Sequence, residues 1–253
     1  MIKFFRKIRQ NMLTENKVSK YFLYAIGEIV LVVIGILIAL QINNANELSK
    51  QNRLVESYEK NLIEELKIDL RNTQRLDSVI TIDREIKRNY MRYYKNPTND
   101  IVTLIQKMDG AKFNLALNYG RVTYTIDDII STGKLSLFSK EKKEAISQLK
   151  DVQDNYERYK TQEEQYKLAS NLEFESTIDL ASFLGQSYLG GDNFEGSTIE
   201  DWRYNSKSEP YRLFGNKTIA IIRNYNFHIA LIKGIRATSK NLLNILEKDL
   251  KNK

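Results

Sequence analysis

Apolar residues follow two patterns along this chain. From residue 21 to 42 they run almost without a break, YFLYAIGEIVLVVIGILIALQI, with a strictly apolar core at 29–40 and Glu28 as the one charged residue. Further on they recur every three, four or seven positions among Glu, Lys and Arg, which is the spacing of amphipathic helices. Residues 47–95 contain neither Pro nor Gly, and Leu48, Val55, Leu62, Leu66, Leu76, Ile80, Ile86, Tyr90 and Tyr93 predict one long helix continuous with the apolar run. Residues 139–184 repeat the pattern. Ser139 is the expected N-cap, Ile146, Leu149, Val152, Tyr156, Tyr159, Tyr166 and Ala169 form the stripe, and Gly185 is the expected stop. A third helix is expected over 216–252, capped by Asn216. Ile219, Ile222, Tyr225, Ile229, Ile232, Leu242, Leu246 and Leu250 face inward, and Lys248 and Lys251 lie at the negative end of its dipole.

Three long helices of similar length are expected to pack antiparallel. The fold expected is all-α: an N-terminal transmembrane helix continuing into an irregular antiparallel bundle of three long helices with short cap helices. The cap helices fall near 100–109 and 123–132, within a distal cap of residues 96–138. Gly185, Gly190, Gly191 and Gly196 mark 185–215 as a membrane-proximal loop. Trp202 and Phe194 of that loop are expected at the headgroups. Residues 113–117 alternate briefly and suit a short extended piece. A period near 3.5 permits coiled-coil packing, but the apolar register drifts along each helix.

Residues 21–42 make a helix roughly 33 Å long, enough for a hydrocarbon core of about 30 Å. The fourteen Leu, Ile, Val and Phe side chains in it favour insertion by roughly 4–8 kcal/mol, more than one off-centre carboxylate costs. The exit QINNANE offers a poor cleavage site, so an uncleaved anchor is expected rather than a signal peptide. Glu28, Gly35 and Ala39 lie near one face, where a small-xxx-small pair lets another helix approach closely. That face is the candidate contact for a protein partner or a second copy.

Charge then sets the orientation. The net charge of the chain is +7. Lys3, Arg6, Lys7, Arg9, Lys17 and Lys20 against Glu15 give residues 1–20 a net +5, while residues 47–253 carry 33 basic and 30 acidic side chains. The excess is an N-terminal tag, which places 1–20 in the cytoplasm, 21–42 across the bilayer and 43–253 outside the inner membrane. Ile2, Phe5, Ile8 and Met12 alternate with those basic residues, so the tag could also lie on an anionic leaflet. A nucleic-acid binder spreads basic charge over its folded domain; this chain does not, and no nucleic acid is expected as partner.

The stretch 4–47, FFRKIRQNMLTENKVSKYFLYAIGEIVLVVIGILIALQINNANE, resembles the start of an uncharacterised, domain-of-unknown-function family of single-pass membrane proteins from flavobacteria and relatives. The family's start carries an FFRKIRQ-like run, YAIGEI, GILIALQINN and a closing WNE; here Ala45 stands in place of that Trp, which removes an interfacial anchor. A weaker resemblance recurs at YTIDDIISTGKLSLF, residues 124–138. The resemblance implies location and topology and carries no chemistry.

Candidate chemistry is sparse. With no Cys and a single His, His228, there is no disulfide framework, thiolate site or multi-histidine metal site. Ser131 and Lys134 match S-x-x-K, but Ser139/Lys142 and Ser147/Lys150 match it too, and Gly133 reads as a helix-terminating glycine. His228 has no nucleophile motif beside it and reads as a surface or half-buried helix residue. The pairs Asp127-Asp128 and Glu163-Glu164 point in diverging directions and read as solvated faces. No cofactor or metal is expected, and no enzyme. The expected role is a non-catalytic interaction or scaffold module in the bacterial inner membrane with a periplasmic helical domain. The alternative is an extracytoplasmic ligand-sensing domain that signals through a membrane partner.

Overall fold

The computed structural model describes residues 18–95, 100–112, 115, 117–181, 183–184 and 201–251. The elements are α1 (Val18–Lys95), α2 (Ile101–Ala111), α3 (Tyr124–Ser131), a 3-10 turn (Lys134–Leu137), α4 (Lys140–Glu175), a second 3-10 turn (Asp201–Arg203) and α5 (Glu209–Lys251). Among the described residues there is no strand, and the class is all-α. Residues 113, 114 and 116 of the expected extended piece lie outside the described residues.

Local chemistry sets several ends. The Asp100 carboxylate accepts the Thr103 N–H at 3.1 Å and caps α2. Ser139 accepts the Lys142 N–H at 3.4 Å and caps α4. Gly133 follows α3 at φ +70°, the left-handed conformation that glycine adopts without strain. Two expected ends differ. α4 stops at Glu175, well before Gly185. α5 begins at Glu209 and passes through Gly215, so Asn216 is an interior helix residue and not a cap. Pro210 is tolerated in the first turn, where its missing N–H has no partner to lose. The added turns of α5 bury Tyr211, Leu213 and Phe214.

The chain divides into two compact units, Met1–Ser57 and Tyr58–Lys253. In the first, the described residues belong to α1, and most of their apolar side chains are exposed, with Leu54 and Val55 half-buried. α1 is the one helix among the described residues long and apolar enough to cross a membrane, and none of its apolar stretch is buried in the protein.

The second unit is built on three heptad seams. Buried or half-buried positions of α1 alternate by three and four: Glu59, Leu62, Leu66, Asp69, Thr73, Leu76, Ile80, Asp83, Lys87, Tyr90 and Tyr94. α5 does the same from Tyr211 through Phe214, Thr218, Ile221, Tyr225, His228, Ile232, Ile235, Ser239, Leu242 and Leu246 to Asp249. In α4 the seam runs Lys142, Ile146, Leu149, Gln153, Tyr156, Lys160, Glu163, Lys167, Ser170 and Phe174. The expected drift in register is corrected. The heptad is continuous, and polar residues occupy many of its core positions, so an apolar-only reading loses it. Ile219, expected inward, and Tyr166 of the expected stripe are exposed, as are Leu48 and Ile86.

Contacts fix the directions. Asp83 meets Tyr225, Asp77 meets Arg236, Asp69 meets Ser239 and Lys67 meets Glu247, so α5 runs antiparallel to this part of α1. α4 does not return alongside α1. Glu59 pairs with Lys142 at one end, while Tyr90 and Phe174 share a buried cluster at the other, so α1 and α4 run the same way.

The described positions of Leu115 and Thr125 show where the chain makes that return instead. The Leu115 backbone lies at the Tyr225 hydroxyl, beside Asp83, and Thr125 bonds Glu65 at 2.8 Å. From Asp83 to Glu65 α1 rises about 27 Å, which ten extended residues cover at up to about 33 Å. The expected distal cap is thus a connection along the bundle. Trp202 is buried in the same cluster as Tyr90, against Phe174, Phe183 and Phe214. Phe194 lies outside the described residues.

Candidate functional site

The polar seam positions gather into layers, each satisfied by a different set of partners. At the first, the Lys142 ammonium lies 2.7 Å from Asp249 and also bonds Glu59, joining all three long helices. Burial pulls the Lys142 pKa down, but the two carboxylates outweigh it and hold the pKa above its ordinary value.

The second layer centres on Asp69, which is fully buried. It accepts hydrogen bonds from the Tyr119 hydroxyl and, at 2.9 Å, from Ser239. Gln153 donates to the Tyr119 oxygen at 2.8 Å and accepts from Thr123 at 2.9 Å. Burial raises the Asp69 pKa despite those two donors. The hydroxyl of Tyr119, buried beside a carboxylate, is pushed far above its ordinary value.

At the third layer Asp83 accepts from Lys87 and from Tyr225, both at 2.6 Å. Desolvation lowers the pKa of the buried Lys87 in spite of its carboxylate.

The fourth layer joins α4 to α5. Glu163 bonds His228 Nε2 and pairs with Lys167 at 2.8 Å. Tyr156 and Tyr159 stand edge-on to the imidazole, with ring centroids 5.4 and 5.2 Å away. Desolvation pushes the Glu163 pKa up, but the His228 and Lys167 bonds prevail and hold it below the ordinary carboxylate range. A carboxylate orienting an imidazole is half of a general-base constellation. His228 is fully buried, and its Nδ1 meets no partner among the described residues.

A narrow groove opens along α4 and α5 one turn beyond this pair. Lys217 and Asn224 come to it from α5; Tyr166, Lys167, Ser170 and Asn171 come from α4.

The residues singled out from sequence fall as follows. Glu28, Gly35 and Ala39 lie in α1, with Glu28 half-buried and Gly35 and Ala39 exposed. A side chain at Gly35 would meet open space. Lys3, Arg6, Lys7, Arg9 and Lys17 lie outside the described residues, and Lys20 belongs to α1. Ser131 donates to the Asp128 carbonyl at 3.3 Å, and Lys134 is exposed on the 3-10 turn. Asp127 pairs with Arg121 at 2.5 Å, while Asp128 accepts the Tyr58 hydroxyl at 2.8 Å. Of the Glu163-Glu164 pair, Glu164 is exposed and Glu163 is buried, correcting the solvated reading for Glu163; His228 is likewise core. Asp69, Tyr119, Asp83 and Lys217 went unnoticed as site residues. The signal for them was in the sequence: each of the three helical ones falls at a three-or-four step from apolar core residues of its own helix.

None of the curated proteins and none of the solved structures compared with this chain matches it. One family does. The match covers residues 28–175, from the half-buried Glu28 through α3 and its Gly133 turn to the last residue of α4. That span is more than half of the chain, and the chain therefore belongs to the Family of unknown function (DUF6090).

Proposed function

We propose that this protein is a single-pass inner-membrane protein whose helical unit acts as a non-catalytic interaction or scaffold module outside the cytoplasm. The basic residues before the apolar run give residues 1–20 to the cytoplasm and the domain from residue 43 onward to the periplasm. The lipid membrane is one partner, and a protein partner or second copy meets the Glu28, Gly35 and Ala39 face.

The observation that carries the interaction reading is a second stripe on α1, beside its buried seam. Val79, Ile82 and Ile86 are spaced by three and four and are exposed, Ile82 by 64%. One such residue is ordinary on a protein surface; a heptad-spaced set on a helix that already has its own seam is a docking feature. Photo-crosslinking from position 82 in native membranes tests it. Recovery of one discrete protein adduct, abolished by Val79→Glu, is expected; adducts to lipid alone would sink the reading. Orientation has its own test: an alkaline-phosphatase reporter fused after residue 60 is active only if the fusion point is outside.

The ligand-sensing alternative is favoured by one feature, the polar groove between α4 and α5. It has the kind of site that helical bundles build between facing helices.

A further inference from the structure

We propose that the groove around Lys217 is an oxyanion site that takes a phosphate group. The inference goes beyond the interaction reading and does not depend on orientation or on a partner.

Three lysines are buried among the described residues: Lys87, Lys142 and Lys217. The first two have carboxylates, Asp83 for Lys87 and Glu59 with Asp249 for Lys142. Lys217 is 8% exposed and has no ion-pair partner among the described residues. Its ammonium sits 5.1 Å from the centre of the Phe174 ring. A ring face offsets only part of the cost of desolvating a cation. Asn224 is in the same position: it is 7% exposed, lines the same groove and has no hydrogen-bond partner among the described residues. Two side chains, each more than nine-tenths buried and without a hydrogen-bond or ion-pair partner among the described residues, thus line one opening.

The rest of the lining agrees in sign. Ser170 and Asn171 add neutral donors, Lys167 adds a second ammonium, and no carboxylate lines the groove. Lys167 is already matched by Glu163, so the ammonium without a direct carboxylate contact among the described residues is that of Lys217. Desolvation lowers the Lys217 pKa; Glu175 opposes that shift and Lys87 adds to it. A bound anion would reverse the shift.

The shape limits the ligand. The sheltered part of the groove is about 10 Å³, roughly what one water needs, so it takes a single oxygen of an anion whose remainder stays at the open mouth, and not a whole metabolite. Compact ammonium charges with flexible stems suit a phosphate, whereas a planar carboxylate is better matched by an arginine fork, which the lining lacks. The phosphate could be free or could belong to a lipid headgroup.

The test uses the full chain in a glucoside detergent, free of phospholipid. Inorganic phosphate and glycerophosphate are titrated separately at constant ionic strength and followed by phosphorus NMR line width and calorimetry. Saturable binding of either probe is expected, weakened more than tenfold by Lys217→Met and by Asn224→Leu and unchanged by Lys134→Met. Binding of inorganic phosphate assigns a free anion; binding of glycerophosphate alone assigns a headgroup. Helicity by circular dichroism shows which variants fold, and Asn224→Leu decides if Lys217→Met does not. A measurement on the unaltered chain stands beside these: phosphate should slow acylation of Lys217, read by mass spectrometry, several-fold. Absence of saturable binding for both probes, wild-type affinity in a folded Lys217→Met, or unprotected acylation would each overturn the proposal.

Discussion

His228 Nε2 meets Glu163 Oε2 between α5 and α4, and both side chains are withdrawn from water. The bond joins the only imidazole of the chain to a carboxylate that Lys167 also holds. This pairing makes part of the fold's stability dependent on pH, with a definite sign.

Glu163 has a folded pKa below its ordinary 4.5. Its contribution to stability is therefore complete above that value and is lost as pH falls through the folded pKa. Chemical denaturation of the full chain across the acid range should show this loss, and Glu163→Gln should flatten it. Glu163→Ala, which strands Lys167 and His228 in the core, should cost about 3–5 kcal/mol at neutral pH.

Asp69 should behave in the opposite sense. Burial raises its folded pKa above the ordinary 3.8, so the stability linked to it is fully present below 3.8 and is lost as pH rises through the folded pKa. Asp69→Asn should remove that fall while keeping an acceptor for Tyr119. Tyr119→Phe should instead cost about 1–3 kcal/mol, because Asp69 and Gln153 each lose a buried partner. Unfolding midpoints of the two variants, measured at several pH values, separate these outcomes.

Glu59 and Lys142 test whether a polar layer stabilises the bundle or only specifies its register. Lys142→Met alone leaves Glu59 buried without its cation and should cost about 3–5 kcal/mol. The double variant Glu59→Leu/Lys142→Met should recover most of that loss. A double-mutant cycle on denaturation midpoints measures the coupling, and additive losses would refute this account.

Gly215 is required by a close approach. A Cβ at this position would run into the far edge of the Tyr94 ring, which is stacked on Tyr211 at 5.0 Å between centroids. Gly215→Ala should lower stability by about 1–3 kcal/mol through overpacking. Adding Tyr94→Leu should restore most of it, even though alanine is the better helix former.

The sequence by itself determined what depends on neighbouring residues. The apolar run of α1, the long helices, the Ser139 cap and the left-handed Gly133 are all local consequences of spacing, side-chain length and backbone sterics. It also carried the heptad, but Glu59, Asp69, Asp83, Lys87, Gln153, Glu163 and His228 hid it, since a polar residue at a seam position looks solvated until its partner is known. Those partners are far away in the chain: Asp69 is satisfied by Tyr119 and Ser239, and Glu163 by His228. Only the tertiary structure decided that α4 runs with α1, because the chain is at the Asp83 layer at Leu115 and back at Glu65 by Thr125, before α4 begins. It likewise left Lys217 without a direct ion pair among the described residues, a property of the surroundings that no local pattern encodes.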